Sequence, residues 1–316
     1  MSHQFDLLVI GDANPDVIVG PLRTPLAFGQ REHLVDSGSL TLGGSAAITA
    51  AGAARLGLEV AIAGRVGDDA AGWFVREALA ERGVDTSTLA VDPDVPTPLT
   101  VILTQDGDRA ILTTPGTLGV TTAADVPAEL LAASKHVHAS SYFLLPKLAA
   151  ELPRLLRLAR SHGATTSVDT NDDPAGAWDP AGVAALLPET DFLLPNAAEV
   201  RNLAGKSSAR EAATALAARG PAVVVKDGDQ GAFACTDGEL VSAKGIPADA
   251  VDTVGAGDSF NAGFLAAVLA GMALGKSLEF GVACGGLSVR AAGGTPGQPT
   301  WDDVLVHLAR TETDPA

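Results

Sequence analysis

Cysteine is scarce in this 316-residue chain, which contains only Cys235 and Cys284. The two are far apart in sequence, and both stand among apolar residues. Such a pair supplies neither the framework of a disulfide-rich fold nor the ligand spacing of a zinc site. We expect both residues to be thiols in the core.

Positive charge is also in short supply. The chain has 21 lysines and arginines against 38 aspartates and glutamates, which gives a formal net charge of −17. An excess of negative charge repels polyanions, so nucleic acid and anionic membranes are not expected as main partners. A small nucleotide is still compatible with this charge, because backbone N–H groups and a magnesium ion can hold phosphates locally.

Long apolar runs, linkers and repeats are missing as well. No stretch has the length of a membrane span, and the N-terminus lacks the basic and apolar regions of a signal peptide, so we expect a cytoplasmic protein. The 35 glycines and 19 prolines are scattered rather than collected in a linker. The sequence therefore predicts a single domain over residues 1–316, with a loose tail at 311–316.

Short apolar runs alternate with alanine- and leucine-rich stretches along most of the chain. The runs, which we predict to be strands, lie at residues 5–11, 60–63, 136–139, 166–169, 192–194 and 222–225. Strands that alternate with helices favour an α/β fold with a mainly parallel sheet covered on both faces. Segments 16–42 and 98–114 break this rhythm and predict extra strands, the second with the Asp106-Gly107 signal of a hairpin.

The segment at 252–264, DTVGAGDSFNAGF, carries the strongest chemical signal. Gly255, Ala256 and Gly257 are small enough for several backbone N–H groups to point at one spot, where the helix that follows adds the positive end of its dipole. An anion should bind there. Asp258, in the first helical turn, is placed to take a proton from a hydroxyl that attacks a phosphate. The alternative is that the glycines only shape a turn and Asp258 only caps the helix.

Polar residues follow the first predicted strand, at the carboxyl edge of the sheet where open α/β folds bind ligands. Asn14 and Asp16 are candidates to bind sugar hydroxyls, because an amide and a carboxylate supply paired donors and acceptors. A plain turn after the strand is the alternative. Further on, Gly43 and Gly44 open an alanine-rich helix, and such a glycine pair lets a ligand approach the backbone closely.

Two segments resemble signature sequences of the ribokinase-like (PfkB) family of carbohydrate kinases. One is the motif at 252–264, and the other is the Gly43-Gly44 helix, which ends in Arg-Leu-Gly at 55–57. Weaker motifs occur between them in the order that the family has. The resemblance implies a three-layer α/β/α sandwich with a mainly parallel sheet, and a small β lid formed by about 16–42 and 98–114.

The resemblance also implies roles for particular residues around a sugar. Asp258 would be the catalytic base, and residues 255–257 would form the anion hole for the transferred phosphate. The implied sugar-binding residues are Asn14, Asp16, Gly43, Gly44, Arg109 in the second lid segment and Asp169 after a strand. For Asp169 the alternative is a solvated turn before Pro174, and for Arg109 it is a charge that faces solvent.

A second group of residues would bind ATP and its metal ions. The ATP-binding residues that the resemblance implies are Asn196, Glu199, Lys226, Gly228 and Gly231. Glu199 would hold Mg²⁺ through water, although Asn196 and Glu199 also form the pattern of a helix capping box. Asp252 and Thr253 would belong to a loop pair that holds a monovalent cation, which predicts activation by K⁺.

One residue departs from the family pattern, because Ile48 stands where most members have an asparagine that reaches the sugar. We therefore predict an ATP-dependent kinase of a small carbohydrate without borrowing the sugar from relatives. A nucleoside kinase of the same fold is one alternative, disfavoured by an aromatic content of 4%. A non-catalytic sugar-binding regulator is another, and it would be expected to lose Asp258 or the glycines. The edge of the lid favours pairing in a homodimer.

Overall fold

The computed structural model describes residues 3–105, 108–247 and 250–313. Within these ranges the chain forms fourteen strands in two main sheets. The strands are β1 (Phe5–Ile10), β2 (Asn14–Gly20), β3 (Ser37–Gly43), β4 (Val60–Gly67), β5 (Val84–Asp85), β6 (Leu89–Asp92), β7 (Leu99–Gln105), β8 (Asp108–Thr114), β9 (Ser134–Ala139), β10 (Thr165–Val168), β11 (Phe192–Leu193), β12 (Ala222–Lys226), β13 (Gly231–Thr236) and β14 (Glu239–Lys244).

Eleven α-helices occur in the same described ranges, and several short 3₁₀ turns connect them to the strands. The α-helices are α1 (Ser45–Arg55), α2 (Ala70–Ala80), α3 (Ala128–Ala133), α4 (Pro146–Ala149), α5 (Leu152–Ser161), α6 (Pro180–Leu186), α7 (Ala197–Ala204), α8 (Ala209–Ala217), α9 (Ala256–Leu269), α10 (Leu274–Ser288) and α11 (Trp301–Thr313). Among them, none combines the length and the hydrophobicity needed to cross a bilayer.

The large sheet is mainly parallel, as predicted. Its order is β14-β13-β12-β11-β10-β9-β1-β4-β5, with β6 also paired to β4, and its antiparallel pairs are β12 with β13 and β13 with β14. Every apolar run that was predicted to be a strand forms one. Because parallel strands end at the same edge of a sheet, the loops after β1, β10 and β12 open on one side of the molecule.

Helices cover both faces of the large sheet and give the three layers of an α/β/α sandwich. Leu7 and Val9 of β1 face one core, which includes Phe264 of α9 and residues of α1 and α10. Leu8 and Ile10 face the opposite core, which includes residues of α5, α7 and α8. This alternation follows from the period of two along a strand. Both cysteines are free and buried, as expected.

The small sheet, as we call strands β3-β2-β7-β8, is built from the two segments that break the α/β rhythm. β2 pairs with β7 in parallel, whereas the β2–β3 and β7–β8 pairs are antiparallel. The expected turn at Asp106-Gly107 lies outside the described residues. At the other end of the chain, α11 continues to Thr313, so the tail predicted at 311–316 is helical over its first three residues, and 314–316 lie outside the described residues.

Candidate active site

Helix α9 begins at the glycine turn that the sequence singled out. Its N-cap is Gly255, whose φ of +71° lies in the left-handed region, and no side chain caps the helix. A Cβ atom at Gly255 would lie 2.6 Å from the Cα of Gly294, so only glycine fits without a shift of the backbone. The first N–H groups of the helix have no partner within it. The turn therefore has the donors that an anion site needs.

Asp258 lies on the first turn of α9, where protein surrounds much of its carboxylate. This burial raises its pKa to about 7, and the nearby carboxylates Asp169 and Asp12 add to the rise. The Ser45 hydroxyl donates a hydrogen bond to Asp258 Oδ1 and opposes the shift. A carboxyl with a pKa near neutrality is suited to general-base catalysis, because it gives up and takes a proton at the pH of the cell.

Ser45 is itself held by Asp12, which follows β1. Asp12 Oδ2 accepts the Ser45 N–H at 3.1 Å, and Asp12 Oδ1 accepts the Ala46 N–H at 3.0 Å and the Ser141 hydroxyl at 2.9 Å. Asp12, at the edge of the large sheet, thus accepts hydrogen bonds from the first N–H groups of α1, which have no partner within the helix. Through Ser45, this contact fixes the position of the Asp258 carboxylate.

Four of the predicted sugar-binding residues come together beside Ser45. Asn14 Nδ2 donates to Asp16 Oδ1 at 2.9 Å and to Thr100 Oγ1 at 3.1 Å, and both predicted side chains are buried. A Cβ atom at Gly43 would overlap the Asp16 carboxylate, and one at Gly44 would lie 2.9 Å from Asn14 Oδ1. The paired glycines therefore make room for these two side chains.

The ionisable groups of this cluster are carboxyls, and their surroundings disfavour the charged form. Burial raises the pKa of Asp16 to about 7, and the charge of Asp12 raises it further. Burial likewise raises the pKa of Asp12. Hydroxyl groups can donate hydrogen bonds to such carboxylates, whereas an anionic ligand would be repelled by them.

Asp169, which was predicted to bind the sugar, is engaged elsewhere. Its Oδ2 forms an ion pair with Lys226 Nζ and accepts a hydrogen bond of 2.6 Å from Asn261 Nδ2 on α9. Burial alone would lower the pKa of Lys226, but the charges of Asp169 and Glu199 outweigh it and hold the pKa above its usual value. Lys226, predicted for ATP, is thus a buried cation next to Gly257, where a Cβ atom would lie 3.6 Å from its Nζ.

Asn196 and Glu199 form the capping box that the sequence left open as an alternative. Asn196 Oδ1 accepts the N–H groups of Ala198 and Glu199 at 2.8 and 2.9 Å, and Glu199 Oε2 accepts the Asn196 N–H at 2.7 Å. Burial raises the pKa of Glu199 to about 7, and the charge of Asp169 raises it further. A site where two carboxylates repel each other is one that a divalent cation stabilises.

A cavity of about 720 Å³ lies between β12, α9 and α10, a volume that accommodates a nucleotide. Six of the predicted residues line it, namely Lys226, Gly228, Gly231, Thr253, Ala256 and Gly257. The other lining residues are Asp229, Gly245, Ile246, Pro247, Ala250, Phe260, Val282, Gly285, Gly286 and Val289. Asn196 and Glu199 are not among its lining residues. The turn at the start of α9 therefore opens into this cavity.

Arg109 and the predicted cation residues meet at the small sheet. Arg109 Nη1 donates to Thr253 Oγ1 at 2.8 Å and lies 3.8 Å from Asp252 Oδ1. Asp252 also accepts the Val254 N–H at 3.0 Å and the Gly293 N–H at 2.9 Å, so it ties two loops together. The Arg109 side chain is partly exposed and its guanidinium binds a protein hydroxyl, so the contact with a sugar stays a prediction.

Ile48 lies next to the glycine turn at the start of α9. It is buried, and Cβ atoms built at Gly255 or Gly294 would press against its side chain. The isoleucine therefore fills space next to the turn at 255–257, which Gly255 and Gly294 leave open. At this position an apolar residue packs against the turn.

Sequence reasoning missed four residues of the site, which are Asp12, Ser45, Thr100 and Asn261. Asp12 and Ser45 stand inside the motifs at 11–16 and 42–57, but the hydrogen bond from Ser45 to Asp258 joins residues 213 positions apart. Asn261 stands three residues after Asp258, on the helix face that meets Asp169. One feature of the sequence indicates its role, which is a polar residue three positions after Asp258 in a mostly apolar helix.

Comparisons with known proteins identify the family of the chain. Residues 4–301 match the pfkB family of carbohydrate kinases. The chain is 31% identical to the ATP-dependent ribose-1-phosphate kinase of Halopiger xanaduensis, over 96% of this chain and 98% of that one. It is 28% identical to the 2-dehydro-3-deoxygluconokinase of Bacillus subtilis, over 89% and 90%. The ribokinase of Arabidopsis thaliana, solved with ribose and ATP, superposes with a TM-score of 0.83 at 27% identity, covering 98% of this chain and 99% of that one.

The fold and the site define a phosphotransferase that acts on the hydroxyl of a small carbohydrate. The chain belongs to the pfkB family of carbohydrate kinases. This confirms the family, the ribokinase-like fold and the class of enzyme that the sequence predicted. The named relatives act on different sugars, so the substrate has to be argued from the residues of this chain.

Proposed function

We propose that this carbohydrate kinase transfers the γ-phosphoryl group of ATP to a hydroxyl of a neutral sugar, with Asp258 as the general base. The observation that supports this most is the position of Asp258 between two sites. Its carboxylate is hydrogen-bonded to Ser45, next to the cluster of Asn14 and Asp16, and the helical turn that carries it opens into the nucleotide-sized cavity.

The reaction would proceed by in-line transfer. Asn14 and Asp16 hold the sugar through its hydroxyls, and Asp258 accepts the proton of the hydroxyl that attacks the γ-phosphorus. The bond from the γ-phosphorus to the bridging oxygen breaks, and ADP leaves with the electron pair. Backbone N–H groups of residues 255–257 stabilise the negative charge on the transferred group. Lys226 adds a fixed positive charge on the nucleotide side.

The residues near the phosphates fit a magnesium ion. Glu199 and Asp169 are buried carboxylates, and the charge of Asp169 raises the pKa of Glu199, so a divalent cation held through water would stabilise the charged form of Glu199. When bound, Mg²⁺ neutralises charge on the phosphate oxygens of ATP. Asn196, which holds the Glu199 carboxylate, is a positioning residue in this assignment.

A neutral sugar fits the charges better than a phosphosugar or a sugar acid. The sugar cluster contains Asp12 and Asp16. Two cations that the sequence assigned to the site have protein partners, because Lys226 pairs with Asp169 and Arg109 binds Thr253. A phosphate or carboxylate on the sugar would therefore meet like charge rather than a cation.

Two further proposals concern the monovalent cation and the oligomeric state. K⁺ would bind at the loops joined by Asp252, and an unchanged rate after replacement of K⁺ by tetramethylammonium would contradict this. A homodimer would form through the small sheet, whose edge strands β3 and β8 expose Leu40, Ile111 and Leu112. Light scattering on the purified protein tests the dimer. A cytoplasmic location suits an enzyme that uses ATP.

The proposed function is tested by release of ADP with Mg²⁺-ATP and K⁺. The panel comprises ribose, fructose, inositol, adenosine, 2-keto-3-deoxygluconate and fructose 6-phosphate. We expect activity with a neutral sugar, at least tenfold above that with the two anionic substrates. A preference for an anionic substrate would contradict the neutral-sugar proposal, and a preference for adenosine would favour a nucleoside kinase. If no compound of the panel supports ADP release but calorimetry still shows sugar binding, a non-catalytic sugar-binding regulator would be favoured.

A further inference from the structure

The small sheet docks on the residues that lead into the phosphate-binding turn. Ile18 of β2 and Ile102 of β7 pack with Val254, and all three side chains are at least nine-tenths buried. On the neighbouring loop, a Cβ atom at Gly293 would lie 2.8 Å from Thr41 Cγ2 of β3. Three strands of the small sheet thus touch the two loops that Asp252 ties together.

The fourth strand adds a polar contact at the same place. Arg109 of β8 donates from Nη1 to Thr253 Oγ1 at 2.8 Å, and the same nitrogen lies 3.8 Å from Asp252 Oδ1. About one third of the Arg109 side chain is exposed, so it is neither a core residue nor a free surface charge. Thr253 stands two residues before Gly255 and lines the cavity.

The position of this contact matters because the active site is divided between the two parts it joins. Asn14, Asp16 and Thr100 belong to the small sheet, whereas Asp258 and residues 255–257 belong to the body of the molecule. The distance from a bound sugar to the base therefore depends on how the small sheet sits on the body. A displacement of about 1 Å in such geometry can cost a factor of about 100 in rate.

We propose that Arg109 is a positioning residue, whose hydrogen bond to Thr253 holds the small sheet against the phosphate-binding turn. The inference rests on the proposed function, and it assigns to Arg109 a part other than contact with the sugar. The apolar cluster at Val254 supplies most of the buried surface, but apolar packing has little directional preference. The directed hydrogen bond from β8 to Thr253 fixes the angle of the small sheet.

A double-mutant cycle tests this. Arg109→Gln and Thr253→Val each remove one side of the hydrogen bond, and Thr253→Val keeps the shape of the side chain. We expect each single variant to lower kcat by roughly three- to thirtyfold with a smaller change in the sugar KM, because the sugar-binding residues stay together on the small sheet while their distance to Asp258 changes. The double variant should be no worse than the more strongly affected single variant, because the same bond is lost in all three. Arg109→Lys should recover part of the loss. Arg31→Gln, at an exposed arginine between β2 and β3, is the matched control.

Several results would overturn the inference. Effects that multiply in the double variant would show that Arg109 and Thr253 act independently. A loss in Arg109→Gln that differs from one sugar to another would indicate contact with the substrate. Circular dichroism must show that the variants fold, and hydrogen exchange gives a readout that does not depend on activity. Exchange in β8 should become faster in both single variants, and unchanged exchange would contradict the proposed bond.

The exchange experiment also separates this inference from the proposed function. If the wild-type protein phosphorylates nothing in the panel, the proposed function fails, while exchange still reports on the contact between Arg109 and Thr253. If the wild type is active and the cycle is additive, only the inference about Arg109 fails.

Discussion

The two ends of the active site are built from different kinds of residues. At the sugar end, Asn14 donates hydrogen bonds to Asp16 and Thr100. The nucleotide end is a cavity of about 720 Å³, lined mostly by glycine, alanine and apolar side chains. The first end holds its polar groups in place, and the second leaves most polar contacts to backbone groups.

Burial also disfavours the charge of several carboxyl groups near the sugar end. Burial raises the pKa of Asp12, Asp16 and Asp258, so three neighbouring carboxylates sit in surroundings that disfavour their charge. Perturbed pKa values of this kind are common among the ionisable residues of active sites. We therefore expect single substitutions at the sugar end and at the base to be severe, and substitutions of cavity side chains to be mild.

The largest effect is expected for Asp258→Asn. The amide keeps the shape of the side chain but cannot accept the proton, so kcat should fall by roughly 10²- to 10⁴-fold. Calorimetry should show sugar binding within a few-fold of the wild type. Asp237→Asn, an equivalent change on the exposed turn between β13 and β14, should leave both quantities unchanged. Normal turnover in Asp258→Asn would refute the assignment of the base.

The next largest effect is expected for Asn14→Ala. The change removes a donor and leaves Asp16 without its partner in a buried site, so the sugar KM should rise by roughly 10- to 100-fold. The KM for ATP should stay within about twofold, because Asn14 does not line the cavity. Steady-state kinetics with each substrate varied measures both values. Asn202→Ala on the exposed face of α7 is the control, and an equal rise in both KM values would argue against a sugar contact.

A smaller effect is expected for Ser45→Ala, and it should depend on pH. Only the deprotonated Asp258 can act as a base, so kcat/KM should rise with pH through about 7 and then level off. The Ser45 hydrogen bond favours the charged form, and its loss should raise the pKa and move the profile to higher pH. At pH 6.5 the variant should be roughly three- to tenfold slower than the wild type, with a smaller difference at pH 9. Ser161→Ala, on an exposed helix end, serves as the control.

A Ser45→Ala profile that matches the wild type in both midpoint and height would show that the Ser45 hydrogen bond does not act on the titrating group. A uniform loss at every pH would indicate that Ser45 positions the base without affecting its proton affinity.

The smallest effect is expected for Ile246→Ala in the nucleotide cavity. The substitution removes about 1 kcal/mol of apolar contact, so the KM for ATP should rise by roughly fivefold while the sugar KM stays constant. Leu305→Ala, at an exposed position of α11, is the matched control. A loss of 100-fold or more would mean that the cavity side chains are as sensitive as the sugar cluster, and the contrast between the two ends would not hold.

Much of the fold could be predicted from local patterns. The apolar runs at 5–11 and 222–225 form β1 and β12, because buried parallel strands consist of such runs and little else. The glycine turn at 255–257 begins a buried helix, as the small residues after Asp258 indicated. The tail was predicted less well, since α11 continues past the point where the polarity of the sequence rises.

The contacts within the site were harder to predict. Lys226 and Asp169 were assigned to different substrates, yet they form an ion pair across the sheet edge. Arg109 was assigned to a ligand, and its guanidinium binds Thr253. In each case the partner lies more than 50 residues away, and nothing in the local sequence around a charged residue identifies it.

By itself, the sequence determined the α/β class, six strands of the large sheet, the glycine turn at 255–257 and the position of Asp258 in the first turn of a helix, because these depend on short-range periodicity and on the backbone freedom of glycine. Tertiary structure alone decided which side chains share a hydrogen bond. Ser45 reaches Asp258, and Arg109 reaches Thr253, only after the sheets and helices have packed. Burial then raises the pKa of Asp258, since a carboxyl group loses water only when distant parts of the chain close around it.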